Sequence, residues 1–188
     1  GEISINGQDI KKIPQKELRD KIGFVPQKAF LFSGTIEENI RYGKEDASIE
    51  EVKHAASIAQ ADEFISDMED KYDSFVAQGG NNLSGGQKQR ISIARALVRK
   101  PEVYVFDDSF SALDFKTDKR LRKALKNEIK DSSAIIIAQR ISTIMDANQI
   151  IVLNDGKIVG IGKHKDLLEN CEVYKQIADS QLSKEELA

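Results

Sequence analysis

Asp107 and Asp108 stand in succession at the end of the apolar run Val103-Tyr104-Val105-Phe106. Such a run reads as a buried strand, and parallel sheets present the C-terminal ends of their strands to ligands. An acidic pair there could hold a divalent cation and an attacking water. A further carboxylate, Asp114, follows in Ser111-Ala112-Leu113-Asp114. A second chemical stretch, Leu83-Ser84-Gly85-Gly86-Gln87, opens a helical pattern upstream. Two adjacent glycines let an anion approach backbone N–H groups at the positive end of a helix, with the Ser84 hydroxyl and the Gln87 amide as added donors. An ordinary N-cap with glycine in the turn would use the same residues. The local pattern leaves both readings open.

Placing these groups takes alternating strands and helices. Ile3 and Ile5 alternate ahead of Asn6-Gly7, a hairpin turn signal, and Ile22 to Val25 reads as a short buried strand stopped by Pro26. Helical patterning runs from Thr35 to about Asp67. Within it, Ser48-Ile49-Glu50-Glu51 forms a capping box, and Val52, Ala55, Ala56 and Ala59 share one face. The helix after Gly86 turns Ile91, Ala94, Leu97 and Val98 inward and stops before Pro101, while Lys88-Gln89-Arg90 reads as its solvated side. Leu121, Ala124, Leu125 and Ile129 mark another helix, and Ser133 to Ala138 reads as a second continuous apolar strand. A hairpin around Asp155-Gly156 and a helical tail from Lys165 complete the order. An α/β layer with a buried parallel sheet is the architecture this order predicts.

The whole chain narrows the chemistry. Its 188 residues are 40% hydrophobic and 31% charged with a net charge of −3, enough for one core and without the basic surplus that nucleic-acid binding uses. The longest apolar run is too short to cross a bilayer, and no signal-peptide pattern opens the chain. The single cysteine, Cys171, suits a reducing compartment, and His54 and His164 lack metal-ligand spacing to a partner.

In their order and spacing, these stretches resemble the nucleotide-binding domain of ABC transporters. Leu83 to Gln87 resembles that family's signature motif, Val103 to Asp107 its Walker B strand, and Ser111 to Asp114 its D-loop. Gln27, closing Phe24-Val25-Pro26-Gln27, sits where the family has its Q-loop, and 138–143 where the switch loop belongs. Residues 31–43 resemble the exporter branch, in which membrane and nucleotide domains are fused. The resemblance implies an α/β fold: a partial RecA-like P-loop NTPase sheet with an inserted helical subdomain. Residues 1–27 would belong to the ATPase core, 28–100 to the helical subdomain with the signature, and 101–188 to the core and C-terminal helices.

It also implies ATP and Mg²⁺ as cofactors. Asp107 would hold the metal, directly or through water, and Gln27 would reach the metal or the attacking water while sensing a membrane domain through its flanking loop. Two such domains meet head to tail in the family. Ser84, Gly85, Gly86 and Gln87 would then contact a nucleotide held mainly by a partner domain, and Asp114 would act across the same interface. The implied partners are that second nucleotide-binding domain and the transporter's transmembrane domain, at the cytoplasmic face of the cell membrane; nucleic acid is not among them.

Two residues depart from the family pattern. Asp108 stands where the family places a glutamate that orients the attacking water; the shorter side chain withdraws its carboxylate by about an ångström, which can cost on the order of a hundredfold in rate. Gln139 stands where the family has a histidine that touches the γ-phosphate, and an amide cannot carry its positive charge. With an intact signature beside them, these changes fit the degenerate half of a heterodimeric exporter. A homodimer with two slow sites, a non-hydrolysing regulatory module and a truncated fragment are the alternatives. The phosphate loop G-x-x-x-x-G-K-[ST] does not occur in the chain; Gly80 and Gly85 have its glycine spacing, but Gly86-Gln87 follow. In the family that loop lies shortly upstream of residues like Gly1-Glu2-Ile3, and the chain starts in a strand-like pattern without Met, which points to a truncation. Residues 1–188 alone are therefore expected to bind ATP weakly or not at all, and to fold poorly around an open sheet edge.

Overall fold

The computed structural model describes residues 1–182. Contacts divide the chain into two compact units, residues 1–137 and the stretch from Ala138 onward.

In the first unit, β1 (Ser4–Ile5) and β2 (Gln8–Asp9) form a hairpin about Asn6 and Gly7, whose φ of 51° and 79° are those of a type I′ turn. Then follow α1 (Gln15–Lys21), β3 (Ile22–Val25), β4 (Gly34–Thr35), α2 (Ile36–Arg41), α3 (Ile49–Ile58), α4 (Asp62–Ser66) and β5 (Phe75–Val76). After these come α5 (Gly85–Leu97), β6 (Val103–Asp107), α6 (Phe115–Glu128) and β7 (Ser133–Ile137). Strands β3, β6 and β7 make a parallel sheet with β6 in the middle, Ile22 facing Val103 and Val105 facing Ile135. The sheet is parallel, as the alternating pattern predicts.

Local chemistry sets the helix starts. Thr35 with Glu38, Ser48 with Glu51 and Ser84 with Gln87 each form a reciprocal capping box, satisfying N–H groups that the first turn leaves without partners. The predicted faces are the buried ones: Val52, Ala55, Ala56 and Ala59 around α3, and Ile91, Ala94, Leu97 and Val98 around α5. Helix α5 packs on α2, α3 and β3, so the inserted helices and the sheet share one core with Tyr104, Phe106 and Leu121. Gly43 makes part of this packing possible, since a Cβ there would lie 2.0 Å from the carbonyl oxygen of Arg95.

The sheet differs from expectation in its burial. Along β6, Tyr104 and Phe106 are buried while Val103 and Val105 are only half-buried, and on β7 Ile135 and Ile137 are 54% and 46% exposed. Runs apolar on both faces predict a sheet covered on both sides. Among the described residues one face is covered, and β7 pairs only with β6.

The second unit holds α7 (Ile141–Ile144), the hairpin β8 (Ile150–Asn154) and β9 (Lys157–Gly162), α8 (His164–Asn170) and α9 (Glu172–Gln181). Its turn residues Asp155 and Gly156 have φ of 47° and 73°, as the Asp-Gly signal predicts. Ile150, Val152, Leu167, Cys171 and Tyr174 form a separate small core, and His164 Nδ1 lies 2.7 Å from the Tyr174 hydroxyl, a structural role. Among the described residues no helix is long and apolar enough to cross a membrane.

Candidate functional site

Strand β6 delivers Asp107 as its last residue, paired in register with Ile137 of β7. Asp108 follows with φ of 44°, in the left-handed region, and its N–H donates to the Ile137 carbonyl at 2.9 Å. Aspartate is among the few non-glycine residues enriched in that conformation, so the backbone itself favours Asp over Glu here. The Asp108 side chain is almost buried, and Gln27 Nε2 donates to its Oδ2 at 3.0 Å. Gln27, Asp107 and Asp108 are therefore together at the C-terminal end of the sheet.

The end of β3 is held from two sides. The ring of Pro26 has no N–H, and the strand stops there, leaving carbonyls that need donors. The fully buried Ser109 hydroxyl donates to the Val25 carbonyl at 2.9 Å. Gln89 Nε2 donates to the Pro26 carbonyl at 3.1 Å from helix α5. Gln89 is only 2% exposed, and Arg90 is half-buried with its guanidinium 4.6 Å from the centre of the Phe64 ring. This corrects the reading of 88–90 as a solvated face. The signal was present as a polar residue four ahead of buried Ile93 on one helical stripe.

At the start of α5, the Ser84 hydroxyl accepts from the Gln87 N–H at 3.2 Å and Gln87 Oε1 accepts from the Ser84 N–H at 2.9 Å. The N-cap reading is thus realised in full. It still leaves the Ser84 hydroxyl proton and the Gln87 NH₂ to donate elsewhere. A Cβ at Gly85 would meet nothing within 4 Å, whereas one at Gly86 would lie 3.3 Å from the Ala112 carbonyl. Gly86 thus serves a close approach inside the chain; Gly85 does not. Asp114 caps α6 by accepting from the Thr117 N–H at 3.0 Å, and its bonding to Thr117 holds its carboxyl below the usual range.

Gln139 belongs to the second unit, where its carbonyl accepts from Gln181 Nε2 at 2.9 Å while Gln181 Oε1 accepts from the Ile141 N–H. The start of α7 is fixed in this way to the last turn of α9.

A groove that sequence reading did not anticipate runs beside β3, lined by Phe24, Pro26, Phe30, Phe32, Tyr42 and Arg95 among others. Arg95 organises it, donating from Nε to the Asn39 carbonyl at 2.8 Å, from Nη1 to the Phe30 carbonyl at 2.9 Å and from Nη2 to Asn39 Oδ1 at 2.8 Å. Asn39, buried in turn, bonds both backbone groups of Phe32 at 2.9 Å. Burial pushes the Arg95 guanidinium down to about 10, still charged at neutral pH. Phe30 and Tyr42 stay 53% and 65% exposed beside it.

Comparison with known proteins gives the family. The family model described as "ABC transporter" matches residues 1–111. An uncharacterized ABC transporter ATP-binding protein of Bacillus subtilis, YfiB, is 48% identical over 185 residues, covering 98% of this chain and 32% of the relative. ABC transporter B family member 1 of Dictyostelium discoideum is 40% identical over 187 residues, covering 99% of this chain and 21% of the relative. The solved structure of a bacterial Atm1-family ABC exporter with ATP bound matches with a TM-score of 0.94 at 40% identity, covering 98% of this chain and 32% of that one. The chain thus spans a third or less of each of these relatives. Relatives this similar over nearly the whole chain, together with the family model over residues 1–111, leave one conclusion: the chain belongs to the ABC transporter family and is folded as an exporter-type nucleotide-binding domain.

Proposed function

We propose that this chain binds Mg·ATP and couples its hydrolysis to export, as the nucleotide-binding domain of a longer subunit that also carries a transmembrane domain. The observation that carries the reading is the meeting of Gln27, Asp107 and Asp108 at the C-terminal end of the parallel sheet. Among the described residues no group of three or more His, Cys, Asp or Glu could hold a metal unaided. That suits Mg²⁺, which takes one or two carboxylates and completes its shell with phosphate oxygens and water. Asp107 would hold it, and Gln27, whose Nε2 is given to Asp108, keeps Oε1 as a ligand oxygen. When bound, the metal offsets charge on the transferring phosphoryl group. Asp108 would then orient the water. A phosphate loop elsewhere in the longer polypeptide would supply most nucleotide contacts, so residues 1–188 alone bind ATP weakly or not at all.

The signature end serves a second nucleotide-binding domain. Ser84, Gly85, Gly86 and Gln87 complete the partner's ATP site, with Asp114 beside the same interface. The short side chain of Asp108 would make this chain's own site the slow one of a heterodimer, at the cytoplasmic face of the membrane. The aromatic groove around Arg95 is the place where the transmembrane domain presses on the loop after Gln27.

Gly85→Ala in the full-length transporter tests this. No atom of this chain lies where the new Cβ would go, and alanine is the better helix former, so the thermal unfolding midpoint does not fall. Phosphate release should fall at least tenfold. Unchanged release would remove the signature from the function.

A further inference from the structure

We propose that Gln89 is a positioning residue, tying the helix that begins at the signature to the pair Gln27–Asp108. The inference rests on the hydrolytic reading above and adds a residue that reading does not use. Gln89 is 2% exposed and lies on the inner stripe of α5, five residues after Ser84. Its Nε2 reaches across 63 positions of sequence to the Pro26 carbonyl at 3.1 Å. The next residue, Gln27, donates to Asp108 at 3.0 Å. One side-chain bond and one peptide unit therefore separate α5 from the hydrogen bond that holds the Asp108 carboxylate.

The geometry makes this link directional. Pro26 fixes its own φ and gives the chain no N–H with which to continue the ladder. Pro26 is half-buried, and the Gln89 amide donates to its carbonyl. Ser109 does the same for the Val25 carbonyl from the loop that follows Asp108. Rotation of α5, as when a partner seats on Ser84 and Gly85, would move the Pro26 peptide and with it the base of the Gln27 side chain. Hydrophobic packing alone would accept Leu or Met at position 89; a buried carboxamide aimed at a strand end is a specific connection.

The test uses the full-length polypeptide that contains this chain. Gln89→Met keeps the volume and removes the donor; Gln89→Glu removes it only while ionised, since a protonated carboxyl can donate. In nucleotide-free protein, amide hydrogen exchange at residues 22–25, the strand that the Pro26 carbonyl ends, should quicken about tenfold in Gln89→Met, the ratio that losing one ordinary hydrogen bond implies, with residues 93–98 unchanged. In the presence of Mg·ATP, kcat should fall while KM moves less than about twofold, and Gln89→Glu should regain kcat as the pH is lowered. Unchanged exchange at 22–25, or equal quickening along all of α5, overturns the proposal. Quickening confined to 22–25 in a protein that does not hydrolyse ATP would keep the connection and reject the hydrolytic reading instead.

Discussion

Replacing Asp108 by glutamate sets two consequences of the structure against each other. Asp108 sits at φ of 44°. An L-residue there costs roughly 1–2 kcal/mol, which aspartate partly offsets with its short polar side chain and glutamate does not. The side chain is 8% exposed and bonded to Gln27, so an added methylene must displace that amide, at about 1–3 kcal/mol for an overpacked site. Asp108→Glu should therefore destabilise the protein by roughly 1–3 kcal/mol, and in a domain of this size each kcal/mol lowers the unfolding midpoint by about 2–4 °C. The same methylene advances the carboxylate by about an ångström toward the water it would orient, so phosphate release at this site should rise by up to about a hundredfold. The assay is steady-state phosphate release by the full-length transporter carrying Gly85→Ala, which on the proposed heterodimer would silence the partner's site, together with calorimetry on the same protein. A folded variant whose rate does not change would show that the reach of Asp108 is not limiting. A midpoint that rises would refute the backbone argument.

Three further substitutions test the frame that holds the site. Arg95→Met strips donors from the Asn39 and Phe30 carbonyls and should cost roughly 2–4 kcal/mol, read as a lower urea midpoint with an unchanged slope. Gly43→Ala forces a Cβ against the Arg95 carbonyl and should cost about 1–3 kcal/mol by the same measurement, more if α5 cannot shift. Glu51 is held down at about 2, from an ordinary 4.5, first by its hydrogen bond to Lys44 and then by the Ser48 N–H. A lowered carboxyl contributes stability that is present above 4.5 and lost as the pH falls toward 2. The midpoint difference between the parent and Glu51→Gln should thus shrink across that window; a constant difference would mean the charge is not involved.

Much of this was readable from residues alone. Asn6-Gly7, Asp155-Gly156 and the capping pairs at Ser48 and Ser84 act within a few residues of themselves, so their sequence carries their geometry. Asp107 was legible because a strand end followed by acids is a local pattern. Gln89, Ser109 and Arg95 were not, since what each does depends on a carbonyl 56 to 84 positions away in sequence. The groove escaped notice for the same reason: Phe24, Phe32 and Tyr42 become neighbours only after α5 packs on β3. The left-handed φ of Asp108 gives its identity a conformational cause that spacing could not show, alongside the proposed catalytic one.

Strands β3 and β6 are neighbours, yet Ile22 pairs with Val103 across 81 positions, and all the inserted helices lie between. Closing so long a loop costs only about 1.9 kcal/mol more than closing ten residues, so the insertion is thermodynamically cheap. Its burden is on time, because contacts this distant must wait for a long search, and isoleucine-rich edges stay bare meanwhile. The capping boxes at the starts of α2, α3 and α5 act locally and would shorten that search to the extent that these helices are populated before the sheet pairs. Removing the Ser48 or Thr35 hydroxyl should therefore slow refolding and raise the yield of aggregate more than its small effect on equilibrium stability would suggest.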